Sequence, residues 1–144
     1  MLERKRTEVN MSQQRIQEVI NRLPRLTNNG VRFKGQLGMI KLSKEGFIKK
    51  FDDEQKALLN DTESFQKICV WLKKVNKIKT INRKHSSYYL KHVAEQEIGY
   101  ITNGVFIAAA IDCGFNFESD DSPNVFFNMS EKSIKQLVNG RIIL

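Results

Sequence analysis

Asn103-Gly104-Val105-Phe106-Ile107-Ala108-Ala109-Ala110-Ile111-Asp112 is the stretch that decides how this chain folds. Thr102 or Asn103 suits the start of a helix here, and Gly114 suits its end. Between them, apolar side chains fill nearly every position instead of one stripe. A helix that is apolar almost all round belongs in a core. Its longest strongly apolar run, Val105 to Ile111, is far short of the roughly 20 residues that cross a bilayer. The expectation is a buried helix.

Working outward, Ser86 or Ser87 caps a preceding helix carrying Leu90, Val93, Ala94 and Ile98, which Gly99 ends at a left-handed position. Before it, Asp61 or Thr62 opens a helix with Phe65, Ile68, Cys69, Leu72 and Val75 on one face. On the other side, Phe115 and Phe117 alternate with polar residues, as do Val125, Phe127 and Met129. The polar segment 118–124 between them holds one proline, which predicts a β-hairpin. Ser130 then caps a last helix with Ile134, Leu137 and Val138. Segments 87–97 and 103–113 have the outline of a helix-turn-helix, and with the hairpin the whole resembles a winged helix. The expected fold class is α+β, mainly helical. In that arrangement the second helix would present Arg, Lys, Asn or Gln to the major groove. Here it has no basic residue, and the hairpin tip Glu118-Ser119-Asp120-Asp121 would repel phosphate. Base reading by helix 103–113 is therefore not expected.

Toward the N-terminus, Val9, Ile16, Val19, Ile20 and Leu23 mark an amphipathic helix over 7–23, stopped by Pro24. Asn28-Asn29-Gly30 reads as a turn. Val31, Phe33, Leu37 and Met39 share one parity and read as an extended segment. Within it, Gly35-Gln36-Leu37-Gly38 reads as a turn or bulge rather than a Gly-x-x-Gly loop for RNA. Ser43 suits the cap of a helix using Phe47, Ile48 and Phe51, and Asp52-Asp53-Glu54 the start of a separate short helix through Leu59. The domain organisation expected is a basic N-terminal helical arm over 1–60 and a compact helical unit over 61–144.

The 144 residues carry a net charge of +8, with a sequence pI near 9.6. Residues 1–50 hold 12 basic and four acidic side chains, whereas 51–63 hold one lysine and five acids. Residues 64–91 hold eight basic side chains and no acid, and 92–121 hold six acids and no Lys or Arg. Such basic blocks favour a polyanionic partner. The candidates for phosphate contact are Lys73, Lys74, Lys77, Lys79, Arg83 and Lys84, the last four on or beside a loop expected around Lys79–His85. Arg22, Arg25, Arg32 and Lys34 form a second basic set. Tyr88, Tyr89 and Trp71 are candidates to stack on bases.

Other chemistry is poorly supported. Cys69 and Cys113 sit among apolar residues and read as small buried hydrophobes, not as a disulfide framework. Their spacing with His85 and His92 fits no usual zinc pattern. Asp52, Asp53 and Glu54 read as dipole partners rather than Mg²⁺ ligands, and neither a phosphate-cradling lysine loop nor a nucleophile elbow is found. No catalytic, cofactor or metal site is expected. Met1-Leu2-Glu3-Arg4-Lys5-Arg6 lacks the apolar core of a signal peptide, so the expected location is the cytoplasm, with no membrane association. The expected function is non-enzymatic, sequence-tolerant binding of DNA or RNA. The alternative is a regulator or inhibitor that docks on another protein or a nucleoprotein complex. The helix around Val9–Leu23 would then supply the partner or homodimer contact.

Overall fold

The structure, a computed structural model, describes residues 2–32, 44–120 and 122–140. Helix α1 spans Leu2–Arg22, followed by the two-residue strands β1 (Leu26–Thr27) and β2 (Gly30–Val31). Helices α2 (Lys44–Asn60) and α3 (Thr62–Leu72) lead to strand β3 (Lys77–Asn82). Helices α4 (Ser87–Ile98) and α5 (Asn103–Asp112) then precede the hairpin β4 (Phe117–Ser119) and β5 (Val125–Met129), and α6 (Glu131–Asn139) closes the described chain.

The apolar decapeptide is α5, and every residue from Asn103 to Ile111 is buried. Its lack of a polar face leaves it no solvated side, so α1, α3 and α4 pack on it together. Phe106 meets Trp71 and Phe127 edge-on, with ring centroids 6.2 and 6.3 Å apart. Ile16, Val19 and Ile20 of α1 join the same cluster as Phe65, Leu90, Val125 and Ile134. The sequence set 1–60 apart as an arm. Its described part contributes Leu26, Val31 and Leu58 to that cluster as well, while residues 2–11 lie exposed.

Strand β5 lies between β3 and β4, and both pairings are antiparallel. The run α3, β3, α4, α5, β4, β5, with β3 beside β5, makes a mainly helical α+β arrangement. The expected hairpin is present, with Phe117 opposite Phe127 and Ser119 opposite Val125. Of Lys79–His85, expected as a loop, residues 79–82 belong to strand β3, and residues 83–85 form the turn that follows it. Ile78, Thr80 and Ile81 are good strand formers, and Asn128 Nδ2 donates to the Ile78 carbonyl at 2.8 Å across the pair. The two short helices expected over 43–59 are one helix, α2. Asp52 and Asp53 stay solvated in its middle, and Glu54 turns inward to a pair with Arg32. Gly99 does take a positive φ of 85°, but its ψ of −178° is extended rather than left-handed helical. Phe33, Leu37, Met39 and the Gly35–Gly38 turn lie outside the described residues.

The start of α5 is held against the β1–β2 turn. Gly104 N–H donates to the Asn28 carbonyl at 2.9 Å, and Asn28 N–H donates to the Glu54 carbonyl at 3.2 Å. Serine and threonine caps operate as expected at α4, α5 and α6. Ser130 Oγ accepts from Ser133 N–H at 3.2 Å. Ser130→Ala is expected to lower stability by about 1 kcal/mol, read as an earlier urea midpoint with an unchanged slope.

Candidate functional site

Residues from three elements converge on one cleft of about 360 Å³. Arg15 reaches it from α1, Cys69 and Leu72 from α3, and Lys77 from β3, with Lys73, Cys113 and Phe115 completing the wall. The apolar stripe of α1 faces α5, which leaves Arg15 beside the end of that helix. Its Nε donates to Asp112 Oδ2 at 2.9 Å, and its Nη2 bonds the same oxygen. That hydrogen bond raises the Arg15 pKa further above its already high value. The guanidinium also lies 5.1 Å from the Phe65 ring centroid. Lys73 follows the last turn of α3, where cations complement the negative end of the helix dipole. The Lys77 ammonium sits 4.9 Å from the Phe115 ring centroid, and Arg22 lies 5.9 Å from that of Phe117. Arg15 is the residue the sequence reading left out of the site. Its only signal was a place off the apolar stripe.

The expected contact residues divide over several surfaces. Lys73 and Lys77 share the cleft, and Lys79 continues along exposed β3. Among the described residues, none of these three forms an ion pair. Lys74 pairs with Glu97 at 2.6 Å, and Arg83 pairs with Glu118. Lys84 is exposed beside the far end of β3, where its N–H donates to Asn82 Oδ1 at 3.0 Å. Arg22 and Arg25 are exposed. Arg32 is held by Glu54, its Nε donating to Oε2 at 3.1 Å, with only 13% of its side chain accessible. Lys34 lies outside the described residues.

Of the stacking candidates, Trp71 is 2% exposed and belongs to the core, because its ring packs against Phe106. Tyr89 is exposed but already stacked on His85, with centroids 4.3 Å apart. Tyr88 lines a different cleft with Tyr100, where both rings flank the buried Lys91 ammonium at 5.3 and 5.1 Å. Lys91 Nζ donates to Glu95 at 3.0 Å and to the Ile101 carbonyl at 3.2 Å. Burial pushes the Glu95 carboxyl up, yet the hydrogen bonds from Lys91 and Ile101 N–H outweigh it and hold the group below its ordinary range.

The acidic segment 92–121 thus has an internal role. Glu95, Glu97, Asp112 and Glu118 meet Lys91, Lys74, Arg15 and Arg83 in space. Of the six expected phosphate contacts, Lys73, Lys77, Lys79 and Lys84 have no ion pair among the described residues, whereas Lys74 and Arg83 do. The buried α5 offers no side chain to a groove, and α1 covers it. His85 and His92 stand apart from the cysteines. Among the described residues, the one group of three metal-ligating side chains is Cys69, Asp112 and Cys113. No described helix is long and apolar enough to cross a membrane. Comparison of the chain with protein-family models, with curated proteins and with solved structures found no match.

Proposed function

We propose that this chain is a non-enzymatic nucleic-acid-binding protein whose phosphate contacts run from the α1–α3–β3 cleft along β3, not over α5. One observation carries the reading: Lys73 and Lys77 share the cleft and Lys79 follows on β3, all exposed and without ion pairs among the described residues, while Lys74 and Arg83 are met by Glu97 and Glu118. Lys77 and Lys79 are two positions apart on β3, about 7 Å along it, and both are exposed. Arg15 adds charge at the cleft but is fixed by Asp112, so it shapes the wall and the lysines do the binding. Contacts to phosphate carry no base information, so binding tolerates sequence.

The test is a mobility shift with duplex DNA, single-stranded DNA and RNA at about 50 to 200 mM salt. Three phosphate contacts on duplex predict a slope of log affinity against log salt near −2.7. Lys73→Ala, Lys77→Ala and Lys79→Ala should each flatten it by about 1. Lys74→Ala, whose charge Glu97 already meets, should flatten it less. Binding independent of salt, or equal slopes for all four variants, would overturn the proposal.

A further inference from the structure

The floor of the cleft is a pair of thiols. Cys69 lies one turn before the end of α3, and Cys113 directly follows α5. Packing of these helices brings their Sγ atoms and a carboxylate oxygen of Asp112 within 4.8 Å of one another. Both cysteines are free, half-buried and in the wall of the cleft.

Two chemistries suit two sulfurs so placed, and Asp112 decides between them. A divalent ion would need that carboxylate as a third ligand, but Arg15 holds it through two nitrogens. A fixed guanidinium beside the ion would repel it. Structural zinc also takes four ligands, and no fourth His, Cys, Asp or Glu joins this group among the described residues. A covalent bond between the sulfurs needs neither Asp112 nor a fourth residue.

We propose that Cys69 and Cys113 form a reversible dithiol–disulfide couple that exchanges with carboxylate-bearing low-molecular-weight disulfides of the glutathione class. The inference does not rest on the nucleic-acid reading. In the first step the Cys113 thiolate attacks one sulfur of the small disulfide. Its S–S bond breaks, one small thiolate leaves, and a mixed disulfide remains on Cys113. Cys69 then gives up its proton and attacks the Cys113 sulfur, expelling the second small thiolate. Two protein thiols are oxidised, one small disulfide is reduced to two thiols, and the two protons released by the cysteines end on those thiols.

The surroundings assign these parts. The neighbouring Cys69 thiol lowers the Cys113 pKa, although burial and Asp112 oppose it. Arg15 Nη2 donates to Cys69 Sγ at 3.8 Å, which leaves the Cys113 sulfur the one not held by a guanidinium among the described residues. Lys73 and Lys77 draw carboxylates to the opening. The two sulfurs already lie within 4.8 Å, so side-chain rotation at Cys69 and Cys113 is what closes them to the roughly 2.05 Å of an S–S bond.

The full reduced chain should be incubated with oxidised glutathione, quenched with N-ethylmaleimide and weighed by mass spectrometry. The expected product has lost two hydrogens, carries no label on Cys69 or Cys113, and regains both thiols with dithiothreitol. Cys69→Ser should stall with one glutathione on Cys113. Joint Lys73→Glu and Lys77→Glu should slow oxidised glutathione by about tenfold and speed the cationic disulfide cystamine. Full labelling of both cysteines in the wild-type chain, or disulfide-linked dimers in place of the internal bond, would overturn the proposal. So would retention of one zinc ion by the reduced chain with exchange blocked, which would make this a metal centre.

Discussion

Gly104→Ala is expected to destabilise the chain by about 3 kcal/mol or more, although the same change inside most helices stabilises by about 1 kcal/mol. The sign reverses because of what lies over the first turn of α5. A Cβ at 104 would overlap the Thr27 carbonyl oxygen and stand 2.7 Å from Asn28 Cα. The obstacle is backbone, not the end of a flexible side chain. Nor can it retreat easily. Thr27 is fully buried, its hydroxyl donates to the Gly30 carbonyl at 3.2 Å and accepts from Asn29 N–H at 3.1 Å. Asn28 is tied to α2 through Glu54. A urea midpoint equal to or above that of the wild type would show that the turn is not seated on α5.

Phe106→Ala should cost about 4 kcal/mol, with Phe106→Leu costing less than about 1.5. The ring is fully buried between Trp71 and Phe127, and it joins α3 to the sheet through α5. Alanine removes the ring and leaves a cavity that three packed elements cannot collapse without breaking their own contacts. Trp71 is the one tryptophan in the chain, so its emission reports unfolding directly. A loss below about 1.5 kcal/mol for the alanine variant would mean that the site repacks.

Local patterns revealed most of the fold. The apolar decapeptide declared its burial because no face of it could meet water, and the hairpin followed from strict alternation of Phe117, Val125, Phe127 and Met129. Strand β3 was obscured by charge. Its first four residues are exposed on both faces, so no apolar parity survives, and only the β-branched Ile78, Thr80 and Ile81 marked it. The continuity of α2 was missed because three acids in a row resemble a helix start, whereas Glu54 is held by an arginine from another element. The cleft was legible only as charge. Its lysines were named from the basic run, but Arg15 and the two cysteines come together only through packing of α1, α3 and α5. No local pattern encodes an approach between residues so far apart in sequence. The neutralisation of Lys74, Arg83 and Arg32 was hidden for the same reason.

The sheet order places β3 at an edge, with no strand among the described residues on its far side. An open edge carrying Ile78, Thr80 and Ile81 would accept a strand from another molecule and start aggregation. Lys77 and Lys79 prevent this, because two copies aligned edge to edge would oppose lysine to lysine. The lysines proposed to meet phosphate would therefore also keep the molecules apart. Neutralising both lysines should expose the edge to self-association, and a polyanion that covers them would protect it in the same way.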